Sequence, residues 1–475
     1  MGLINNILST IENSLLGAIE GGITNGVLGS FGMGGSGIAG EQMTVAGDID
    51  IIGIAIVDEN GQTKVNIRDQ VKTIDIYEDI LHPSIFCVLG IQDGVNVGES
   101  FNINGQEYVN IVLQTPGNTK KSSYLFRATG RSSVKVDENN KFKTYTVTLA
   151  NPDVIKNSKT FINSTYLQGA SDAVKHIIQD KKGGLGSIIP ITVEDTKGTE
   201  PISIPNLEPF KAINKITGLS AAMSKKYDSN SYLFFQNKNG YNFVTMEKLL
   251  ADCSASFSGA LGVTNDKVFF FDNGSTDMSL KNVVVRNILG FEYSKANDSN
   301  QYVSDGGLLS IAKTYDNITG VRKVTTYTNS DSQFSVGADK GKGGTIFSQT
   351  FQQLHGDTTT NIYNIPVNSA KYIEQGVNYD PHLIGQKITN ERGFIAKVTQ
   401  FGAIVEVYGD TDITAGDGIK CYLPPADGMS EDEGKNSKLT SGNYLVSAVR
   451  HMIVNSGRSQ HIMSLALIRG TVGGV

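Results

Sequence analysis

Thr144-Tyr145-Thr146-Val147-Thr148-Leu149 alternates polar and apolar side chains residue by residue. Only a strand with one buried and one wet face satisfies that period, because successive side chains leave a strand on opposite sides. Strand-like runs cluster at both ends of the chain. Residues 48–57, 70–77, 85–91, 107–114, 122–129 and 142–149 read as strands in the first part, and 392–399, 403–408, 418–423, 443–453 and 461–469 in the last. The stretch between them changes period. Leu167, Ala170, Val174, Ile177 and Ile178 fall on one helical face, as do Leu207, Phe210, Ile213 and Ile216, with Asn206 placed to cap the second helix. Tyr232 to Phe235 and Tyr241 to Val244 flank Asn239-Gly240, a hairpin signal. A polar section over 294–380, with Gly337, Gly341, Gly343 and Gly344 around Lys340 and Lys342, reads as loops or extended surface hairpins.

At 475 residues the chain exceeds what one core usually supports, so two to four packed modules are expected. The formal net charge of −6 argues against a surface that grips DNA, since phosphate affinity comes mostly from Lys and Arg. Cys87, Cys253 and Cys421 are far apart and odd in number, which points away from a disulfide framework or zinc module and fits assembly in a reducing cytoplasm. Leu3, Ile4, Ile7, Leu8, Ile11, Leu15, Leu16 and Ile19 form an amphipathic helical stripe, followed by a Gly-rich arm from Gly21 to Gly40. No Lys or Arg precedes Lys64, so this segment lacks the basic region of a secretory signal. No window offers the roughly 20 apolar residues of a membrane span.

The two strand-rich ends resemble each other. Val95 to Phe101 and Asp412 to Ile419 each put Gly and an acid after an apolar strand. Downstream, Tyr124-Leu125-Phe126 with Tyr145 to Leu149 matches Tyr444-Leu445-Val446 with Met463 to Leu467 in order and spacing. Two related β modules with a helical region inserted between them follow from this repeat. A homotrimer of such chains would present six similar units around one axis and could adapt a six-fold tube to a three-fold partner.

Catalytic spacing is absent: there is no G-x-S-x-G and no H-E-x-x-H, and Gly337 to Gly344 lacks the spacing of a phosphate loop. Asp410, Asp412 and Asp417 invite a calcium reading, but Thr414 occupies the third ligand position and Gly416 stands one place late. His451 and His461 are expected on adjacent strands, facing each other in a structural role, and Glu431-Asp432-Glu433 in a solvated loop. No catalytic, cofactor-binding or metal-ligating residue is assigned, and no cofactor is expected.

Ile74-Asp75-Ile76-Tyr77-Glu78-Asp79-Ile80-Leu81-His82-Pro83-Ser84-Ile85-Phe86 resembles the strand and turn that open the first tube module in baseplate hub proteins of T4-like contractile phages. The aromatic hairpin from Ser231 to Val244 and the terminal run from Ser441 to His451 are similar to that family as well. More distantly, the chain resembles the hub part of type VI spike proteins and of P2-type late control proteins. The likeness covers roughly 65–155 and 200–475, leaving out the N-terminal arm, and the polar section at 294–380 departs from the compact family pattern.

The resemblance implies a multidomain, β-rich α+β chain with two tube-type antiparallel β-barrel modules and an inserted mixed α/β region. The expected division is 1–44 for the helix and Gly-rich arm, 45–152 for the first barrel, 153–380 for the insertion and 381–475 for the second barrel, with 283–296 open as a further strand of it. The implied role is a structural, non-enzymatic hub in the virion tail baseplate, assembled in the host cytoplasm. As a trimeric pseudo-six-fold ring it would join the hexameric tail tube, or a tube-initiator protein, to the trimeric central spike. Baseplate wedge proteins and the tape measure protein are further expected partners, DNA would pass through an acidic lumen without specific binding, and no stable membrane insertion is expected. A receptor-binding or adhesin module and a virion hydrolase are the alternative readings.

Overall fold

The computed structural model describes residues 46–469 with interruptions, the longest at 257–266, 272–285, 329–360, 371–379 and 424–439. The N-terminal helix and Gly-rich arm, the glycines at 337–344 and Glu431 to Glu433 lie outside the described residues.

The first strand-rich region forms β1 (Asp50–Val57), β2 (Lys64–Asn66), β3 (Val71–Asp79), β4 (Phe86–Asp93), the short helix α1 (Val97–Ser100), β5 (Tyr108–Gln114), β6 (Ser122–Val136) and β7 (Lys143–Ala150). Their inward residues, among them Ile54, Ile74, Ile76, Leu89, Ile111, Phe126 and Val147, make one core. The alternation at 144–149 is realised directly: Tyr145, Val147 and Leu149 are buried there, and the threonines point away.

The middle region holds α2 (Pro152–Lys159), β8 (Ile162–Tyr166), α3 (Ala170–Gln179), β9 (Ile191–Val193), β10 (Ile202–Leu207), α4 (Pro209–Thr217), β11 (Tyr232–Asn237), β12 (Gly240–Thr245) and α5 (Met246–Ser256). Ala170, Val174, Ile177 and Ile178 of α3 pack with Phe210, Ile213 and Ile216 of α4 in a second core, whereas Leu167 is exposed ahead of α3. Asn206 does not cap α4. It sits at φ 50°, Glu208 takes the cap position with Pro209 behind it, and Asn157 Oδ1 accepts the Phe210 N–H at 2.8 Å. The aromatic hairpin turns on Lys238-Asn239, one residue earlier than the sequence suggests, since Asn237 already pairs with Gly240. Gly240 is required there: its φ is 125° and a Cβ would fall 2.3 Å from the Pro190 carbonyl oxygen.

The last region holds β13 (Val268–Phe270), β14 (Ile288–Ala296), β15 (Leu309–Asp316), β16 (Arg322–Thr328), β17 (Asn361–Val367), α6 (Leu383–Val398), β18 (Phe401–Tyr408), β19 (Gly418–Tyr422), β20 (Gly442–Ser456) and β21 (Arg458–Arg469). The strand expected at 392–399 is the end of α6 instead. This helix lies across β15 and β16, and the buried Lys387 donates from Nζ to the carbonyls of Thr217 and, at 2.9 Å, Leu219 just past α4. Tertiary packing overrides the local strand propensity of the apolar run around 392–399.

One large sheet of thirteen strands joins the two ends of the chain along the path β14-β18-β21-β20-β3-β4-β7-β6-β5-β1-β2, with β19 and β13 branching from β20. It is antiparallel except for β13 against β19. The path is open at β14 and β2, so no closed barrel is seen among the described strands. The fold is β-rich and multidomain with few helices. A third core, from β14, β18, β19, β20 and β21, fills the second β region with Val405, Tyr444, Leu465 and Leu467.

The two regions share their register. Arg127 lies opposite Ala150 as Leu445 lies opposite Ile468, and in both hairpins a one-residue bulge follows, at Thr129 and at Ser447. Ala150 and Ile468 in turn face Phe86 and Gly402, so β3-β4 corresponds to β14-β18. Those pairs are bulged at corresponding places too, at Lys72 and Leu289. Tyr145 to Leu149 therefore matches Met463 to Leu467, as the sequence repeat has it, but Tyr444 corresponds to Phe126 rather than to Tyr124.

Candidate functional site

The candidate site is the seam where the two β regions meet and the sheet edges left open beside it. At the seam β20 runs along β3 from Ala448 opposite Asp79 to Val454 opposite Thr73. Ile74 faces Ile453, and Ile453 belongs to the first core although it comes from the last hairpin. On the other sheet face the Arg450 guanidinium pairs with Asp75 at 2.8 Å and lies over the Tyr77 ring. A groove of about 380 Å³ opens on that face between Tyr77, Asp79, Phe86, Ile404, Arg450 and Ser464.

Glu78, on the core side of β3, fastens the loop before β19. Its Oε2 accepts from the Thr414 hydroxyl and, at 3.0 Å, from the Ala415 N–H, while Oε1 is buried without a partner. Burial pushes the Glu78 carboxyl above the usual carboxylate range against these two hydrogen bonds. The same loop carries the three aspartates of the calcium reading, and each is engaged by a different cation. Asp410 pairs with Arg286 at 3.0 Å and accepts from Asn118 Nδ2 at 2.9 Å, Asp417 pairs with Lys267 at 2.7 Å, and Asp412 lies 3.7 Å from Lys238. Burial opposes ionisation of Asp410, but Arg286 and the Asp412 N–H hold its carboxyl below the ordinary value. No group of three or more metal-ligating side chains occurs among the described residues. The loop is a clasp: Thr115 and Thr411 bond reciprocally, and Lys238 from the aromatic hairpin donates to the Thr411 carbonyl at 2.6 Å.

His451 and His461 do face each other, with Nδ1 of the first 3.1 Å from Nε2 of the second. Both rings are buried, and His451 Nε2 and His461 Nδ1 have no partner. Burial holds His451 well below the usual imidazole value and His461 at about 3, so the pair is neutral and one ring donates to the other. The fit is close, since a Cβ on Gly409 would fall 1.9 Å from the His461 ring.

Two edges are open. Beyond the bulge at Thr129 the outer half of β6 pairs only with β7 among the described strands, and Val134 and Val136 are exposed there by 53% and 51%. At the far end of the sheet β14 pairs along its length only with β18 among the described strands, leaving Phe291 and Tyr293 half-buried and Glu292 exposed. An uncovered edge of this kind is a template for another strand.

Glu78, Lys238, Arg286 and Asn118 carry no motif signal in the sequence, because they act across separations of more than 100 residues. The three cysteines are free and buried. Among the described residues no helix is long and apolar enough to cross a membrane.

The structural neighbours include phage tail proteins and chains of a PdpA-VgrG complex. A tail protein from Neisseria meningitidis MC58 is similar at 10% identity and a TM-score of 0.47, over 88% of this chain and 97% of that one. The 43 kDa tail protein of prophage MuSo2 from Shewanella oneidensis is similar at 9% identity and a TM-score of 0.49, over 88% and 98%. A chain of the Francisella PdpA-VgrG complex is similar at 12% identity and a TM-score of 0.43, over 97% of this chain but 58% of its own length. No protein-family profile and no curated protein matches the sequence.

Proposed function

We propose that the protein is a non-enzymatic hub subunit of a phage tail baseplate that closes into a homotrimeric, pseudo-six-fold ring. In the virion this ring joins the hexameric tail tube to the trimeric central spike, with baseplate wedge proteins around it. The observation that carries the reading is the seam. Two β regions of matching register, with the bulges at Thr129 and Lys72 repeated at Ser447 and Leu289, are joined edge to edge, and an edge-to-edge step that leaves equivalent edges free at its two ends can be repeated. Each region is read as a tube-type barrel; for the first, the isolated bridge from Asp48 to Gln460 brings the chain ahead of β1 to the tip of the β20-β21 hairpin that also lies along β3, which supports its curling round with that hairpin as a neighbour.

The sheet face opposite the cores is assigned to the lumen. Along β3, β14, β18 and β20 it carries Asp75, Asp79, Glu292 and Glu406 against Lys72 and Arg450. A surface with this excess of carboxylates repels unneutralised phosphate and lets DNA pass. Light scattering and class-averaged images of the purified chain test the reading. Three-fold rings with six similar lobes are expected, and a monomer that forms no ring with or without tube and spike proteins overturns it.

A further inference from the structure

The register that joins the two β regions within one chain also specifies how one chain meets the next, if the ring reading holds. Equivalent positions follow from pairing alone. Lys135 faces Thr144 as Met452 faces Ile462, and Val136 faces Lys143 as Ile453 faces His461, so Lys135 and Val136 stand where Met452 and Ile453 stand. On the other side Asp75 and Ile74, facing Val88 and Leu89, correspond to Glu292 and Phe291, facing Ile404 and Val405. Within the chain Met452 lies opposite Asp75 and Ile453 opposite Ile74.

We infer that the outer half of β6 pairs antiparallel with β14 of a second copy of this chain, with Val134 opposite Tyr293, Lys135 opposite Glu292 and Val136 opposite Phe291. The partner's chemistry fits what each edge leaves unsatisfied. Val134 and Val136 are exposed apolar residues, and Phe291 and Tyr293 are half-buried rings on an edge left open among the described strands. Lys135, between the two valines, meets the exposed carboxylate of Glu292, so the pairing sets opposite charges face to face on one sheet face and apolar groups on the other. Sliding the register by one residue would put Lys135 against an aromatic ring and turn both valines to the wrong face. Because β6 and β14 lie at different ends of the chain, the contact is heterologous: each copy uses its β6 on one neighbour and offers its β14 to the other.

Full-length protein carrying K135C and E292C tests this under mild oxidation, the three native thiols being buried. Opposed strand positions are close enough for a disulfide. The double variant is expected to run as a covalent trimer on a non-reducing gel, and an equimolar mixture of the two single variants as a dimer. In an uncrosslinked background K135E is expected to cut the trimer fraction at fixed concentration by roughly tenfold, and K135E/E292K to restore it. Disulfide dimers from K135C alone, or a covalent ladder beyond trimer, overturn the inferred pairing. Absence of any cross-link in a protein that is still a three-fold ring overturns this interface and leaves the hub reading standing, whereas loss of the ring itself in the unmodified protein removes both.

Discussion

Acidification below pH 6.5 should loosen the seam through the two buried histidines, and the size of the effect follows from their burial. His461 titrates near 3 in the folded chain against about 6.5 in an unfolded one. Between those values the unfolded state binds more protons than the native state, so stability rises with pH and is lost as pH falls from 6.5 towards 3. At 1.36 kcal/mol per pH unit, the His461 contribution lost at pH 5 is about 2 kcal/mol relative to neutral pH. His451 shifts in the same direction, from burial first and then from His461 and Lys238, with Asp410 opposing. The loss carried by His461 alone is a sizeable part of an ordinary folding free energy, and His451 adds to it in the same direction. Glu78 works the other way, because its raised carboxyl favours the native state as pH falls. The clean measurement is thus a difference: urea unfolding at pH 7 and pH 5 for the natural chain and for H451L/H461L. Far-UV circular dichroism is the appropriate probe, since the chain has no tryptophan. The double variant is expected to lose at least about 2 kcal/mol less than the natural chain over that interval. An identical loss in both proteins would refute the assignment of the pH dependence to this pair.

Further outcomes follow from the same region. G409A drives a methyl group into the His461 ring and should destabilise by at least about 3 kcal/mol, read as a lowered urea midpoint or loss of soluble protein. D410N leaves the Arg286 guanidinium without its carboxylate at a site where both side chains are mostly buried; a cost of about 3 kcal/mol is expected by thermal or urea unfolding, against well under 1 kcal/mol for D412N, whose side chain is 45% exposed. Calcium added to the natural chain should leave its melting temperature unchanged, because each of the three aspartates in this loop is already engaged by a cation of its own.

Strand content was readable because it is local. The alternation at 144–149 needs no partner to be recognised, and neither do the apolar periods of α3 and α4. What failed was decided by distant packing. The apolar run around 392–399 reads as a strand, yet its backbone completes α6, which is held by Lys387 reaching the carbonyls after α4 and by β15 and β16 beneath it. Asn206 has the chemistry of a cap, but Asn157, some fifty residues away, delivers the oxygen that satisfies Phe210. The repeat was visible as composition, and part of its register with it: Tyr145 to Leu149 matches Met463 to Leu467 in the sequence already, but two tyrosines set Tyr444 against Tyr124, and only cross-strand pairing makes Phe126 its counterpart. The clasp was least legible, since Glu78 and Thr414 become neighbours only when the seam has formed.

Sharing β20 has a thermodynamic consequence for the whole molecule. Ile453 fills the first core, Tyr444, Val446 and Val449 of the same strand fill the third, and the backbone between them is bonded to β3 on one side and β21 on the other. Further ties cross the same boundary: Arg458 grips Asp48 in a bidentate pair, Thr411 exchanges hydrogen bonds with Thr115, and Asn455 Nδ2 donates to the Arg68 and Val71 carbonyls. Neither β region can therefore unfold without exposing apolar surface of the other, and the two should melt in one transition. A fragment of residues 46–152 lacks β20 altogether. It exposes the β3 edge and leaves a void where Ile453 stood, a loss of about 2 to 5 kcal/mol for the side chain alone before the strand's backbone bonds are counted. That fragment should be unfolded or aggregated, and adding residues 440–469 as a separate peptide should recover native-like circular dichroism. A fragment that folds alone with full stability would show that the seam is a contact between independent domains and not a shared core.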